Sequence, residues 1–131
     1  MERAGRVRVV CLAIVPGEPT PKKRPRCSRG RAHSAEGQKA AEDAFAWAVK
    51  AQNVGMEPAT GAVRVLLTFY SRYSFTHYPQ RRQDADNAIK HCLDSLNAVA
   101  WIDDTQVIEL HARMVRGAVE PRTVIVVYAL D

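Results

Sequence analysis

Five carboxylates and a lysine within residues 84–104, DADNAIKHCLDSLNAVAWIDD, have the types and spacing for phosphoryl-transfer chemistry. Asp84 and Asp86 are two residues apart, so in an extended chain both carboxylates project to one side, with α-carbons roughly 6.5 to 7 Å apart. Asp86 precedes a helical pattern: Ile89, Cys92, Leu93 and Leu96 recur at helical spacing, opposite a polar stripe of Asn87, Lys90, Asp94 and Asn97. Asp86 is thus a candidate N-cap, and Lys90 stands one turn along, placed to meet a substrate phosphate. The apolar segment 98–102 reads as a short return carrying Asp103 and Asp104 back beside Asp84 and Asp86. Carboxylate clusters suit Mg²⁺, or Mn²⁺ in its place, because these cations prefer oxygen ligands. Such an ion acidifies a bound water and polarises a phosphoryl oxygen. Each piece alone has an ordinary explanation: a common D-x-D, a helix cap, an exposed Lys90 and Asp94 pair at i and i+4. Crowded together they are costly without a cation, and the stretch reads as an acidic metal site.

The elements that must hold this site follow from the rest of the chain. Its 131 residues suffice for one domain with one modest core. No run of 18 apolar residues and no leader pattern is seen, so a soluble intracellular protein is expected, with no membrane partner. Cys11, Cys27 and Cys92 are odd in number and widely spaced, which suggests reduced thiols, two of them buried, rather than a disulfide framework or zinc site. The net charge of +5 understates an asymmetry, since acidic residues gather in the site and basic ones elsewhere. A phosphate-rich partner is implied.

Residues 7–15 read as a strand of a covered sheet, ended by Pro16, Gly17, Pro19 and Pro21. Lys22, Lys23, Arg24, Arg26, Arg29 and Arg31 follow, broken by Pro25 and Gly30, as a phosphate-tracking arm or a solvated basic loop. Ser34 can cap a helix running to about Val54, with Gly55 as its stop. That helix carries one apolar stripe of Ala41, Phe45 and Ala48 and another of Ala40, Ala44, Trp47, Ala51 and Val54. The second stripe either faces another subunit or leaves Trp47 partly exposed. Val63, Val65, Leu67 and Phe69 alternate with Arg64, Leu66, Thr68 and Tyr70 as a strand. In SRYSFTHYPQRRQ, Tyr73, Phe75 and Tyr78 interleave with Arg72, His77, Arg81 and Arg82. The aromatics either stack on unpaired bases while the arginines hold phosphates, or tuck beneath the loop. Ile108, Leu110, Ala112 and Met114 alternate with polar neighbours, and residues 123–130 are apolar, which predicts a terminal β-hairpin with the last strand central in the sheet. His91 and His111 read as structural or surface residues.

Against this background the chain resembles the RusA family of Holliday junction resolvases, many of them encoded by prophages. The likeness is carried by Gly17-x-Pro19 with the basic PKKRPR, by D-x-D-N-x-x-K over 84–90, by D-x-L-N over 94–97, and by W-x-D-D-x-Q-V over 101–107. It implies a small mixed α/β (α+β) fold of about four strands and two main helices. It also implies a homodimer that cuts four-way junction DNA with Mg²⁺ by paired symmetric nicks. The essential carboxylates then match Asp84, Asp86 and Asp104, and the essential lysine matches Lys90, with Asp103 and Asp94 as helpers. Gln83, Ala98 and Arg113 depart from the family's frequent proline, glycine and lysine. A junction-binding protein without activity and a metal-dependent nuclease for flaps or other branches are the competing readings.

Overall fold

The computed structural model describes residues 6–20, 27–28, 31–32, 35–74 and 85–130. Six strands and two helices occur in the order β1 (Val7–Pro16), β2 (Cys27–Ser28), β3 (Arg31–Ala32), α1 (Ala35–Gln52), β4 (Val63–Ser71), α2 (Ala85–Leu96), β5 (Val107–Arg116) and β6 (Arg122–Leu130), with a 3₁₀ turn (Asp104–Gln106) just before β5. Four of the strands form one mixed sheet in the order β1-β6-β4-β5. The β2 and β3 strands make a separate two-residue ladder. This is the small α+β fold of one mixed sheet and two helices that the sequence leads one to expect.

Alternation in the strands decides what is buried. Val63, Val65, Leu67 and Phe69 of β4, Ile125 and Val127 of β6, and Cys11 and Ala13 of β1 all point to one side of the sheet. Phe45 and Val49 of α1 and Ala88, Cys92 and Leu96 of α2 close over them, with Trp101 fully buried. Each large side chain so buried contributes about 1.5–3 kcal/mol. On the opposite side Leu12 and Ile14 are more than half exposed, and no described helix covers that face. The covered sheet predicted for β1 is therefore covered on one face.

The last strand is central, as its unbroken apolar run requires, but it forms no hairpin with β5. Instead β6 pairs antiparallel with β1 on one side and with β4 on the other, which leaves it no free edge. The β5 strand runs parallel to β4 as the second half of a strand–helix–strand crossover through α2. Residues 117–121 then pass across the end of β4, where the Ala118 N–H donates to the Ser71 carbonyl.

In α1 the stripe of Ala41, Phe45 and Ala48 turns inward, and Trp47 on the other stripe is 72% exposed. The helix ends at Gln52, and Gly55 follows with φ +82°, a conformation that glycine adopts without strain. Gln52 and Asn53 are turned onto the free edge of β1. The Gln52 amide accepts from the Ile14 N–H and donates to its carbonyl, both at 2.8 Å. Asn53 does the same at Leu12, both at 3.1 Å. Two side-chain amides thus stand in for a neighbouring strand and close that edge.

Candidate active site

The α2 helix carries two of the residues to which the sequence points, Asp86 and Lys90. It begins at Ala85, so Asp86 lies in its first turn, where the helix dipole favours a negative charge, rather than at the N-cap. Ala88, His91, Cys92, Ser95 and Leu96 face the core. Asp86 and Lys90 are exposed together on the outer face one turn apart, and among the described residues neither carboxylate nor ammonium has an ion-pair partner. His91 is buried rather than set on a polar face; its ring meets Phe45 edge-on with centroids 5.4 Å apart. It positions α2 against α1. Asp84 lies outside the described residues, as do Lys22, Lys23, Arg24, Arg26, Arg29, Arg81 and Arg82.

The second pair of aspartates is held at the other end of this helix. Ala98 adopts φ +65°, turning the chain sharply after Asn97. The Ala98 N–H donates to the Trp101 carbonyl, and the Trp101 indole N–H donates to Asn97 Oδ1 at 2.7 Å. Gln106 then fastens the segment. Its Oε1 accepts from the N–H groups of Ile102 and Asp103, and its Nε2 donates to the carbonyls of Ala59 and Gly61, both at 2.8 Å. The return foreseen for residues 98–102 therefore stays at the helix end that it follows. Ten residues separate Asp86 from Leu96, about 15 Å of helix rise. Asp103 and Asp104 consequently do not come back beside Asp86 in one chain.

The two neighbouring aspartates differ in what they do. Asp103 caps the 3₁₀ turn: its Oδ2 accepts from the Thr105 hydroxyl at 2.7 Å and from the Thr105 N–H at 3.3 Å. These bonds, the hydroxyl's first, hold its carboxyl below the ordinary carboxylate range. Asp104 is half-buried, and its carboxylate receives no hydrogen bond from the described residues. Among those residues no three acidic, histidine or cysteine side chains gather as a cation site, so the described part of one chain does not by itself fit a metal.

Two further residues shape the site's surroundings. Glu18, between Gly17 and Pro19, accepts from the buried Ser71 hydroxyl at 2.6 Å and from the Arg72 N–H at 2.9 Å. It thereby fixes the end of β4, where Arg72 stands exposed and the chain leaves towards the aspartates. Gln106 is the other. Its position three residues after Asp103 is the spacing of a capping box, a signal present in the sequence; nothing comparable marks Glu18. Cys11 and Cys92 are both buried free thiols, and burial pushes Cys11 up to about 11, so neither is a nucleophile at neutral pH.

Residues 16–128 match the family described as endodeoxyribonuclease RusA. No match is found among curated proteins. No helix of the described residues is long and apolar enough to cross a membrane.

Proposed function

We propose, on the premise that the chain belongs to the RusA endodeoxyribonuclease family, that it acts as a homodimer on four-way junction DNA. It nicks two strands related by the dimer's symmetry and so serves recombination and repair. The observation that carries this reading is the division of the acidic residues by α2. Asp86 and Lys90 stand on an outer stripe near its start, and Asp104 stands past its end with no hydrogen bond to its carboxylate among the described residues. A second copy related by a two-fold axis can supply Asp104 where the first supplies Asp86, giving two equal sites, one for each strand cut.

The donor set is all oxygen, which suits Mg²⁺ with Mn²⁺ as a substitute; Asp84 and Asp86 of one copy with Asp104 of the other would hold it. Asp103 is a helper, since its Oδ2 is committed to Thr105. When bound, the cation would supply positive charge at the scissile phosphodiester and acidify water. Lys90 faces the same phosphate and neutralises charge that develops on it as the bond to the 3′ oxygen breaks, leaving 5′-phosphate and 3′-hydroxyl ends. Arg72, Arg81, Arg82 and the basic arm bearing Lys22, Lys23, Arg24, Arg26 and Arg29 guide the DNA by contacts to its backbone.

The test is cleavage of a mobile four-way junction beside a duplex and a flap of matching sequence, with Mg²⁺ or with EDTA, by the native chain and by Asp86→Asn. Paired nicks are expected in the junction alone and with the cation alone. Asp86→Asn should bind the junction as before and lose at least about 10²-fold in rate, the scale for removing a group that organises transition-state charge. Binding without nicking by the native chain would make it a junction-binding protein. Equal cutting of all three substrates would discard junction selectivity.

A further inference from the structure

The two edges of the main sheet are treated differently. The amides of Gln52 and Asn53 occupy the edge of β1, whereas no described side chain caps the free edge of β5. That edge belongs to a strand of ten residues, most of them exposed. A long open edge is a template for another strand, and its side chains say which one it accepts.

The register of β5 against β4 orients those side chains. Leu110, Ala112 and Met114 lie opposite Val65, Leu67 and Phe69, so they share the helix-facing side, together with Ile108. Yet Ile108 is 65% and Leu110 39% exposed, because α2 covers β5 only in part. His91 turns one flank of α2 to Phe45 of α1, and Ile89 and Leu93 lie on the other flank, above β5. An apolar strip thus runs along the open edge on the helix side. On the opposite side Glu109, His111 and Arg113 are all exposed, and Glu109 is paired with Arg64.

This pattern is complementary to itself. When a second β5 is laid antiparallel with His111 opposite His111, Glu109 falls opposite Arg113 and Arg113 opposite Glu109. Leu110 then falls opposite Ala112, and Ile108 opposite Met114. Opposite charges meet on the polar side and apolar groups on the helix side, both favourable cross-strand pairs. We infer that β5 is the seam of the dimer, two copies pairing their β5 strands antiparallel about a two-fold axis through His111 into one continuous sheet. The inference deepens the two-copy reading of the site and rests on it. The same axis sets α2 beside α2 of the second copy, covering Ile89 and Leu93. It also places the start of the second β5, with its Asp103 and Asp104, at the end of the sheet where α2 begins.

Directly opposed residues of antiparallel strands have α-carbons about 4.5 or 5.5 Å apart, within disulfide reach. His111→Cys in a Cys27→Ser background should therefore form a covalent dimer on mild oxidation, and Thr60→Cys in the same background should not. In sedimentation of the full chain, Glu109→Arg and Arg113→Glu should each weaken the dimer about tenfold or more, and the double variant should restore it. A dimer that neither crosslinks at 111 nor responds to the charge changes would overturn this seam while leaving the two-copy reading intact. A chain that sediments as a monomer yet still nicks junctions in pairs would overturn both.

Discussion

Among the described residues, Ala98 is the one non-glycine residue held at positive φ. At φ +65° an L-residue is disfavoured by roughly 1–2 kcal/mol, and glycine is not. Ala98→Gly should raise stability by about 1 kcal/mol once glycine's greater unfolded-state freedom is subtracted, seen as a higher urea midpoint at unchanged slope. The resemblance drawn from the sequence singled out this position, where Ala98 departs from the glycine it implies, but not the left-handed turn itself. The resemblance set Asp104 among the essential carboxylates and Asp103 as a helper, but neighbouring positions of equal chemistry do not show that Asp103 is the one that caps the turn. Asp103 makes its own prediction. Its folded pKa is lowered, so its contribution is present above the ordinary carboxylate range and is lost as pH falls through the lowered value. Asp103→Asn should accordingly flatten the acid limb of thermal stability against pH, whereas Asp104→Asn should abolish cleavage. Cys11 acts at the other extreme. Its pKa is raised from 9.0 to about 11, so its contribution is full below pH 9 and is lost as pH rises to about 11. Cys11→Ala should lessen the alkaline loss of stability over that window.

Among the elements, β4 and both helices were legible from periodicity and β6 from its continuous apolar run; the repeat at two in β4 and one stripe at about 3.6 in α1 mark residues that the core buries. The pairing of β5 was not legible. A short connection with glycine suggests a hairpin, but the continuous apolar run of β6 demands a strand on each side, and β1 and β4 take both places. Strand partnership is decided by the whole sheet, not by the connection. Likewise the spacing of residues 98–104 allowed a return along α2, and only the hydrogen bonds of Gln106 to Ala59 and Gly61 show that none occurs. The protected edge of β1 gives a test at this scale. Gln52→Ala with Asn53→Ala removes four hydrogen bonds to Leu12 and Ile14, and should both lower stability by about 2–4 kcal/mol and expose an edge to intermolecular pairing. Concentration-dependent aggregation of the double variant, absent in the native chain, is the expected readout.

At the scale of the whole molecule, the fold separates residues that the proposed chemistry needs together. One exposed stripe of α2 holds Asp86 and Lys90 and a turn past its other end holds Asp104, and in the proposed dimer the edge of β5 is the two-fold seam that would unite two such halves. In the proposed reading the basic arm and arginines would add a term that salt weakens, with a slope of about 0.9 on a logarithmic scale for each phosphate contacted in duplex arms. The most direct test of a site shared between copies is subunit mixing. Asp86→Asn and Asp104→Asn chains are prepared separately, shown to be inactive, then unfolded, mixed and refolded before addition to a four-way junction with Mg²⁺. With sites built from two copies, a mixed dimer holds one doubly altered site and one intact site, so the mixture should recover nicking of single strands. If each site lies within one chain, every site in the mixture stays altered, and the absence of any nicking would contradict the account.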